Sequence, residues 1–105
     1  LGVAYKKDIR DVRESPALDV IKLLQNAGAR VKYNDPHVPS ILMNCDTMRS
    51  VKLSSPLLKK TDCVVIVTDH SAYDYDWIVK NSKLVFDTRN ACKQVKSNRG
   101  KIVKL

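Results

Sequence analysis

The run Cys63-Val64-Val65-Ile66-Val67-Thr68 constrains this chain more than any other stretch. It is almost wholly β-branched and shows no polar alternation, so it does not suit a half-exposed sheet face. A strand of this kind is buried on both faces of a parallel sheet. Parallel neighbours need crossover connections, usually helices, and the flanking sequence supplies them. Ser15 is placed to cap a helix, and Pro16 suits its first turn, where a missing N–H has no partner to lose. Ala17, Val20, Ile21, Leu24 and Ala27 then recur at helical spacing until Gly28 ends the element. Val31 and Tyr33 alternate with Lys32 in a short strand stopped by Asn34-Asp35-Pro36.

The pattern is weaker between positions 34 and 62. Pro36 and Pro39 interrupt it, Ser50–Leu53 reads as a short extended piece, and Ser55-Pro56 opens a brief helix to about Thr61. Ser71–Asn81 reads as a helix with Tyr73, Trp77 and Ile78 on its inner side. Leu84–Phe86 is a second buried strand and Ile102–Leu105 a last one. No repeat or low-complexity linker divides the chain. The alternation predicts one α/β domain over residues 1–105, Rossmann-like and doubly wound. Its mostly parallel sheet of about five strands would carry flanking helices.

Composition narrows the class. The chain is 44% apolar and 29% charged, as in globular proteins. Its apolar runs fall far short of the roughly 20 residues that span a bilayer, and neither a signal nor a transit peptide is visible. The opening on Leu1-Gly2 reads as a first strand that has lost its beginning. Cys45, Cys63 and Cys92 are odd in number and widely spaced, with no Cys-x-x-Cys pair. They fit a reducing cytoplasm and exclude the common zinc patterns. Cys63, at the head of the apolar run, is expected in the core. The three glycines, Gly2, Gly28 and Gly100, cannot supply a Gly-x-Gly-x-x-Gly fingerprint. A net charge of +8 favours an anionic partner without choosing among polynucleotide, nucleotide sugar and acidic membrane.

Apolar runs end in the polar clusters Tyr5-Lys6-Lys7-Asp8, Asn34-Asp35-Pro36-His37, Thr68-Asp69-His70-Ser71 and Asp87-Thr88-Arg89-Asn90. Right-handed crossovers put the carboxyl ends of parallel strands on one edge, where ligands bind in such folds. Lys6 and Arg89 are the cations best placed there to meet a diphosphate. The alternative is solvated loop charges paired with Asp8 or Asp87. His37 and His70 read as loop histidines bonded to neighbours rather than as metal ligands. Adjacent Asp69-His70-Ser71 cannot adopt triad geometry. Tyr73 and Trp77, at i and i+4, read as core packing rather than a stacking surface for bases, with Tyr75 pointing elsewhere. Lys93, Lys96, Arg99, Lys101 and Lys104 form a solvated basic face, and no recognised nucleic-acid module is present.

The block Tyr5-Lys6-Lys7-Asp8, continuing to Arg13-Glu14-Ser15-Pro16, is joined through Gly28–Pro39 to Phe86-Asp87-Thr88-Arg89-Asn90-Ala91. Together they resemble the C-terminal, UDP-binding domain of the UDP-glucose/GDP-mannose dehydrogenase family, most closely the UDP-N-acetylglucosamine 6-dehydrogenases. The resemblance implies that Tyr5, Lys6 and Arg89 contact a UDP-sugar, its diphosphate above all. Arg13 and Glu14 match the motif and take a supporting role around the loop. It also implies the substrate-holding half of a cleft in an NAD-dependent enzyme that oxidises the sugar C6 alcohol to a carboxylate for surface polysaccharide synthesis. The family's NAD-binding domain, central dimerisation segment and catalytic cysteine precede this domain. The fragment alone is therefore expected to hold no catalytic residue, cofactor or metal. Its implied partners are the UDP-sugar, the enzyme's remaining domains and further copies in a homo-oligomer, with no nucleic acid and no membrane. Arg10 stands where the family usually has a small or acidic residue, and Cys92 where it has an aliphatic one. Two other readings stay open: a basic α/β module for nucleic acid or an acidic partner, and a structural assembly domain.

Overall fold

A computed structural model of the chain describes residues 1–43 and 46–105. The first helix, α1 (Pro16–Asn26), begins where the Ser15 hydroxyl accepts from the Ala17 N–H and ends before Gly28, whose φ of +95° suits glycine. A hairpin follows, with β1 (Ser40–Met43) antiparallel to β2 (Asp46–Arg49). The short α2 (Ser55–Lys60) is capped by Ser54. Then come β3 (Val64–Ile66), α3 (Tyr75–Asn81), β4 (Val85–Asp87), a single tight turn at Arg99–Lys101 and β5 (Ile102–Lys104).

The strands β3, β4 and β5 form a parallel sheet in that order, Val64 lying opposite Val85 and Val85 opposite Ile102. The start of the chain runs along the other side of β3. Leu1 N donates to the Val65 carbonyl (2.6 Å) and Val67 N to the Leu1 carbonyl (2.9 Å). Gly2 N in turn donates to the Asn34 carbonyl (2.9 Å). Gly2 is pressed so closely on Thr68 that a Cβ there would come within 2.5 Å of it, and its φ is +84°. The segment order across the layer is therefore 34, 1–4, β3, β4, β5. One core gathers Val3, Ala17, Ile21, Tyr33, Val38 and Ile41, and a second gathers Leu58, Ile66, Ile78, Val79, Val85 and Cys92.

The α/β class is as expected, with five strands among the described residues, three parallel and an antiparallel pair. Several details differ. Cys63 is exposed, because β3 begins one residue later and the apolar run turns inward only at Val64. Cys45 lies outside the described residues. Among the described residues Val31–Tyr33 pairs with no strand; Tyr33 is nonetheless buried, its hydroxyl donating to the Val38 carbonyl (3.0 Å) and its carbonyl accepting from Val51 N (2.9 Å). Helix α3 starts at Tyr75 rather than Ser71. Asp74 caps it through the Trp77 N–H, while Ser71 is engaged by Asp8, so Tyr73 precedes the helix. Tyr75 is half-buried and packs edge-on to Tyr73. Among the described residues no helix is long and apolar enough to cross a membrane.

Candidate functional site

The four polar clusters meet at the carboxyl edge, bonded through the turn that follows β3. Thr68 Oγ1 donates to the Ala4 carbonyl (2.7 Å), just before Tyr5 and Lys6. On the other flank of the same turn, Arg89 Nε donates to the Val67 carbonyl (2.9 Å). The Asp8 carboxylate accepts from Ser71 N and from Ser71 Oγ, each at 2.7 Å. Those donors, the N–H first, hold Asp8 below the usual carboxylate range. Asp8 N donates to His70 Nδ1 (2.8 Å), and His70 Nε2 lies 2.8 Å from Asp35 Oδ2.

Asp35 and His70 are the buried centre of this arrangement, with both side chains fully shielded from solvent. Asp35 Oδ2 also accepts from Val3 N (2.8 Å) and Ala4 N (3.2 Å), and Oδ1 accepts from His37 N (2.8 Å). Because His70 Nδ1 receives an N–H, the hydrogen-bond network assigns the ring proton to Nε2, which donates it to Asp35. The Tyr73 hydroxyl donates to the Asn34 carbonyl (2.7 Å) and the Tyr75 hydroxyl to the His70 carbonyl (2.8 Å). Burial, reinforced by Asp35 for Tyr73 and by Asp69 for Tyr75, pushes both phenols well above their ordinary range. They remain protonated donors at neutral pH.

A second buried carboxylate underlies Arg89. Asp87 Oδ1 accepts from Arg89 N and Ala91 N, both at 3.0 Å, and Oδ2 accepts from Cys92 N (2.8 Å). Burial alone would raise the Asp87 carboxyl, but the Cys92, Ala91 and Arg89 N–H groups hold it below the usual value. The backbone is thereby pinned into a tight turn with Asn90 at φ +57°. The Arg89 side chain is exposed, and beyond Nε its guanidinium meets no protein acceptor among the described residues. Lys6 is likewise exposed; its ammonium sits 5.9 Å from the centre of the Tyr5 ring, and among the described residues no acidic group pairs with it.

Arg13 and Glu14 are arranged differently. The Arg13 guanidinium grips Asp11 with two bonds (3.0 and 3.1 Å), an exposed pair that raises the one group and lowers the other. Glu14 is exposed at φ +58°, immediately before the helix cap. Arg13 is thus tied to its own loop, and Glu14 stands at the junction of that loop with α1.

The edge also bears on metal and nucleophile chemistry. Asp8, His37 and His70 bring ligand atoms within 4.8 Å of one another. Both His70 nitrogens are already engaged, by Asp8 N and by Asp35, so His70 has no lone pair to offer in this arrangement. The Cys92 thiol is pushed up to about 11, by burial first and then by Asp87, and is no thiolate at neutral pH. Sequence reasoning singled out Lys6 and Arg89 but missed the Asp35–His70 pair. Only the Asn-Asp-Pro turn hinted at it, since the partners are remote in sequence.

A sequence model described as the UDP binding domain of the UDP-glucose/GDP-mannose dehydrogenase family matches residues 1–94. The chain is 38% identical over 98 residues to UDP-N-acetyl-D-mannosamine dehydrogenase of Methanococcus maripaludis, covering 85% of this chain and 21% of that protein. It is 32% identical over 99 residues to UDP-glucose 6-dehydrogenase of Rhizobium meliloti, covering 86% of this chain and 22% of that one. It thus spans about a fifth of the length of these relatives. Among solved structures, UDP-N-acetyl-mannosamine dehydrogenase from S. aureus superposes on 98% of this chain and 24% of its own, with a TM-score of 0.67 and 30% identity. The enzyme from Pyrococcus horikoshii covers 98% and 23% respectively, with a TM-score of 0.68 and 26% identity. Edge, turn motifs and matched span agree, and the chain belongs to the UDP-glucose/GDP-mannose dehydrogenase family, as its UDP binding domain.

Proposed function

We propose that this domain holds the diphosphate of a UDP-sugar between Lys6 and Arg89, with Tyr5 beside them, as the substrate-binding part of an NAD-dependent UDP-sugar 6-dehydrogenase. One observation carries the reading. Two cations without acidic partners among the described residues stand on turns bonded to the two flanks of one segment, Val67–Thr68. Lys6 supplies a compact charge beside an aromatic face, and Arg89 presents a planar fork whose backbone Asp87 has already fixed. Holding the Arg89 turn and its Nε in advance reduces the entropy lost on binding. Anchored through its diphosphate, the sugar extends toward the rest of the enzyme, and its C6 alcohol is oxidised to a carboxylate. NAD, bound on a domain outside these residues, accepts the hydrides. The remaining domains also supply the opposite cleft wall and the contacts of a homo-oligomer.

For the sugar we propose an N-acetylated hexosamine. The resemblance to UDP-N-acetylglucosamine 6-dehydrogenases points to that epimer, while several similar proteins are named for UDP-N-acetyl-D-mannosamine.

Calorimetric titration of the domain with UDP, with GDP and short single-stranded DNA as controls, tests the clamp. Saturable, UDP-selective binding is expected, and Lys6→Ala or Arg89→Ala should each weaken it roughly ten- to a hundredfold. That is the effect of losing a charged hydrogen bond of about 1.5–3 kcal/mol. Arg13→Ala, which breaks only the pair with Asp11, should change it little. Unchanged UDP affinity in both clamp variants would remove the proposal. DNA binding that falls steeply with salt would favour the basic-module reading instead. Titration with the two UDP-N-acetylhexosamine epimers and UDP-glucose ranks the sugars.

A further inference from the structure

We infer that the concavity between the first loop and the Asn34–His37 turn is a second anion site, taking a small phosphate-bearing molecule on Arg10 and Lys52. The concavity measures about 550 Å³, and its lining includes Arg10, Asn34, Asp35, His37, Ser50 and Lys52. That volume lies within the range of small-ligand sites, roughly 300–1,000 Å³. Arg10 comes from the loop before α1 and Lys52 from the segment after β2, so tertiary folding alone joins them.

The chemistry of the lining follows from which groups are already engaged. Asp35 is the single carboxylate among its described lining residues; its Oδ2 accepts from Val3 N, Ala4 N and His70 Nε2, and its Oδ1 from His37 N. Ser50 Oγ accepts from Asp35 N (3.0 Å) and donates to the Asp35 carbonyl (3.3 Å). Asn34 Nδ2 donates to the Val51 carbonyl (2.6 Å). These bonds tie the Asn34–Asp35 turn to the Ser50–Val51 segment. Among the described residues, the side chains of Arg10 and Lys52 pair with nothing, and the His37 imidazole makes only an edge contact with His70, at 4.7 Å between ring centres. Two unpartnered cations and an imidazole outweigh the one buried carboxylate, whose charge is already held by four donors, and together suit a compact oxyanion. The inference does not rest on the UDP reading.

The probe is inorganic pyrophosphate, titrated by calorimetry into the Lys6→Ala/Arg89→Ala double variant, in which the nucleotide clamp is disabled. Saturable binding is expected in that background, and adding Arg10→Ala or Lys52→Ala should weaken it at least tenfold, while Lys93→Ala/Lys96→Ala should not. In parallel, Arg10→Ala/Lys52→Ala in the otherwise unchanged chain should leave UDP affinity as it was, so the two sites fail or stand separately. Arg10 and Lys52 are exposed, and matching thermal unfolding confirms that their variants fold. Three results overturn the inference: no pyrophosphate binding, binding insensitive to Arg10 and Lys52, or equal weakening by the Lys93/Lys96 control.

Discussion

The turn that carries Lys6 and the turn that carries Arg89 each rest on a buried aspartate, yet the two aspartates act over different distances. Asp87 collects the N–H groups of Arg89, Ala91 and Cys92, all within five residues of it. Asp35 collects those of Val3 and Ala4, more than thirty positions back, together with His37 N and a histidine 35 positions ahead. The surroundings differ in the same way. Around Ile66 and Val85 the chain is held by a regular parallel ladder, with strength spread over many bonds. Around Val3 and Tyr33 there are, among the described residues, only isolated backbone bonds, such as Gly2 N to the Asn34 carbonyl, and one carboxylate that gathers four donors. A local carboxylate shapes a turn, whereas a long-range one decides which segments are neighbours.

This contrast can be broken most forcefully at Asp35. Asp35→Ala leaves three N–H groups and His70 Nε2 without their acceptor inside the protein. Each buried donor left without an acceptor costs about 1–3 kcal/mol, and losing four at once removes a large part of a domain's total stability. Urea unfolding should show a midpoint far below wild type, and a drop under about 1 kcal/mol would refute the assigned role. Asp87→Asn should cost less, about 1–3 kcal/mol, because only one turn loses its acceptors. Its pH dependence carries the sign of a carboxyl held low in the folded state. The contribution is complete above the unfolded value of about 3.9 and is lost as pH falls through the folded value. The stability gap between wild type and Asp87→Asn should therefore stay constant from about pH 5 upward and narrow below about pH 4. The smallest effect is expected in the ladder region, where Ile66→Val, at a fully buried position, should cost about 0.5–1.5 kcal/mol. If Ile66→Val proved as damaging as Asp35→Ala, the contrast between distributed and concentrated support would fail.

The same distinction explains what was readable in advance. Helix α1, β3 and β4 declare themselves through Ser15-Pro16, a β-branched run and the apolar stretch before Asp87, all local signals. The β1–β2 hairpin does not. Ile41 and Met43 face inward, but Leu42 between them is 72% exposed, so the alternation that marks a half-buried strand is hidden by an apolar residue on the outer face. Cys63 misleads in the opposite direction, apolar by type and exposed in place. His70 reads as a loop residue because nothing near it in sequence shows that Asp8 N and Asp35 will satisfy both its nitrogens.

By itself, the sequence determined the α/β class, the principal helix and ladder strands, and the presence of Lys6 and Arg89 within polar blocks that follow apolar runs. These follow from propensity, capping and apolar patterning, which act within a few residues. Only the tertiary structure decided that Asp35 and His70 form the buried joint beneath the edge and that Arg10 and Lys52 share a concavity. Those outcomes depend on which distant donors reach an acceptor once the chain has closed on itself, and no local pattern records that.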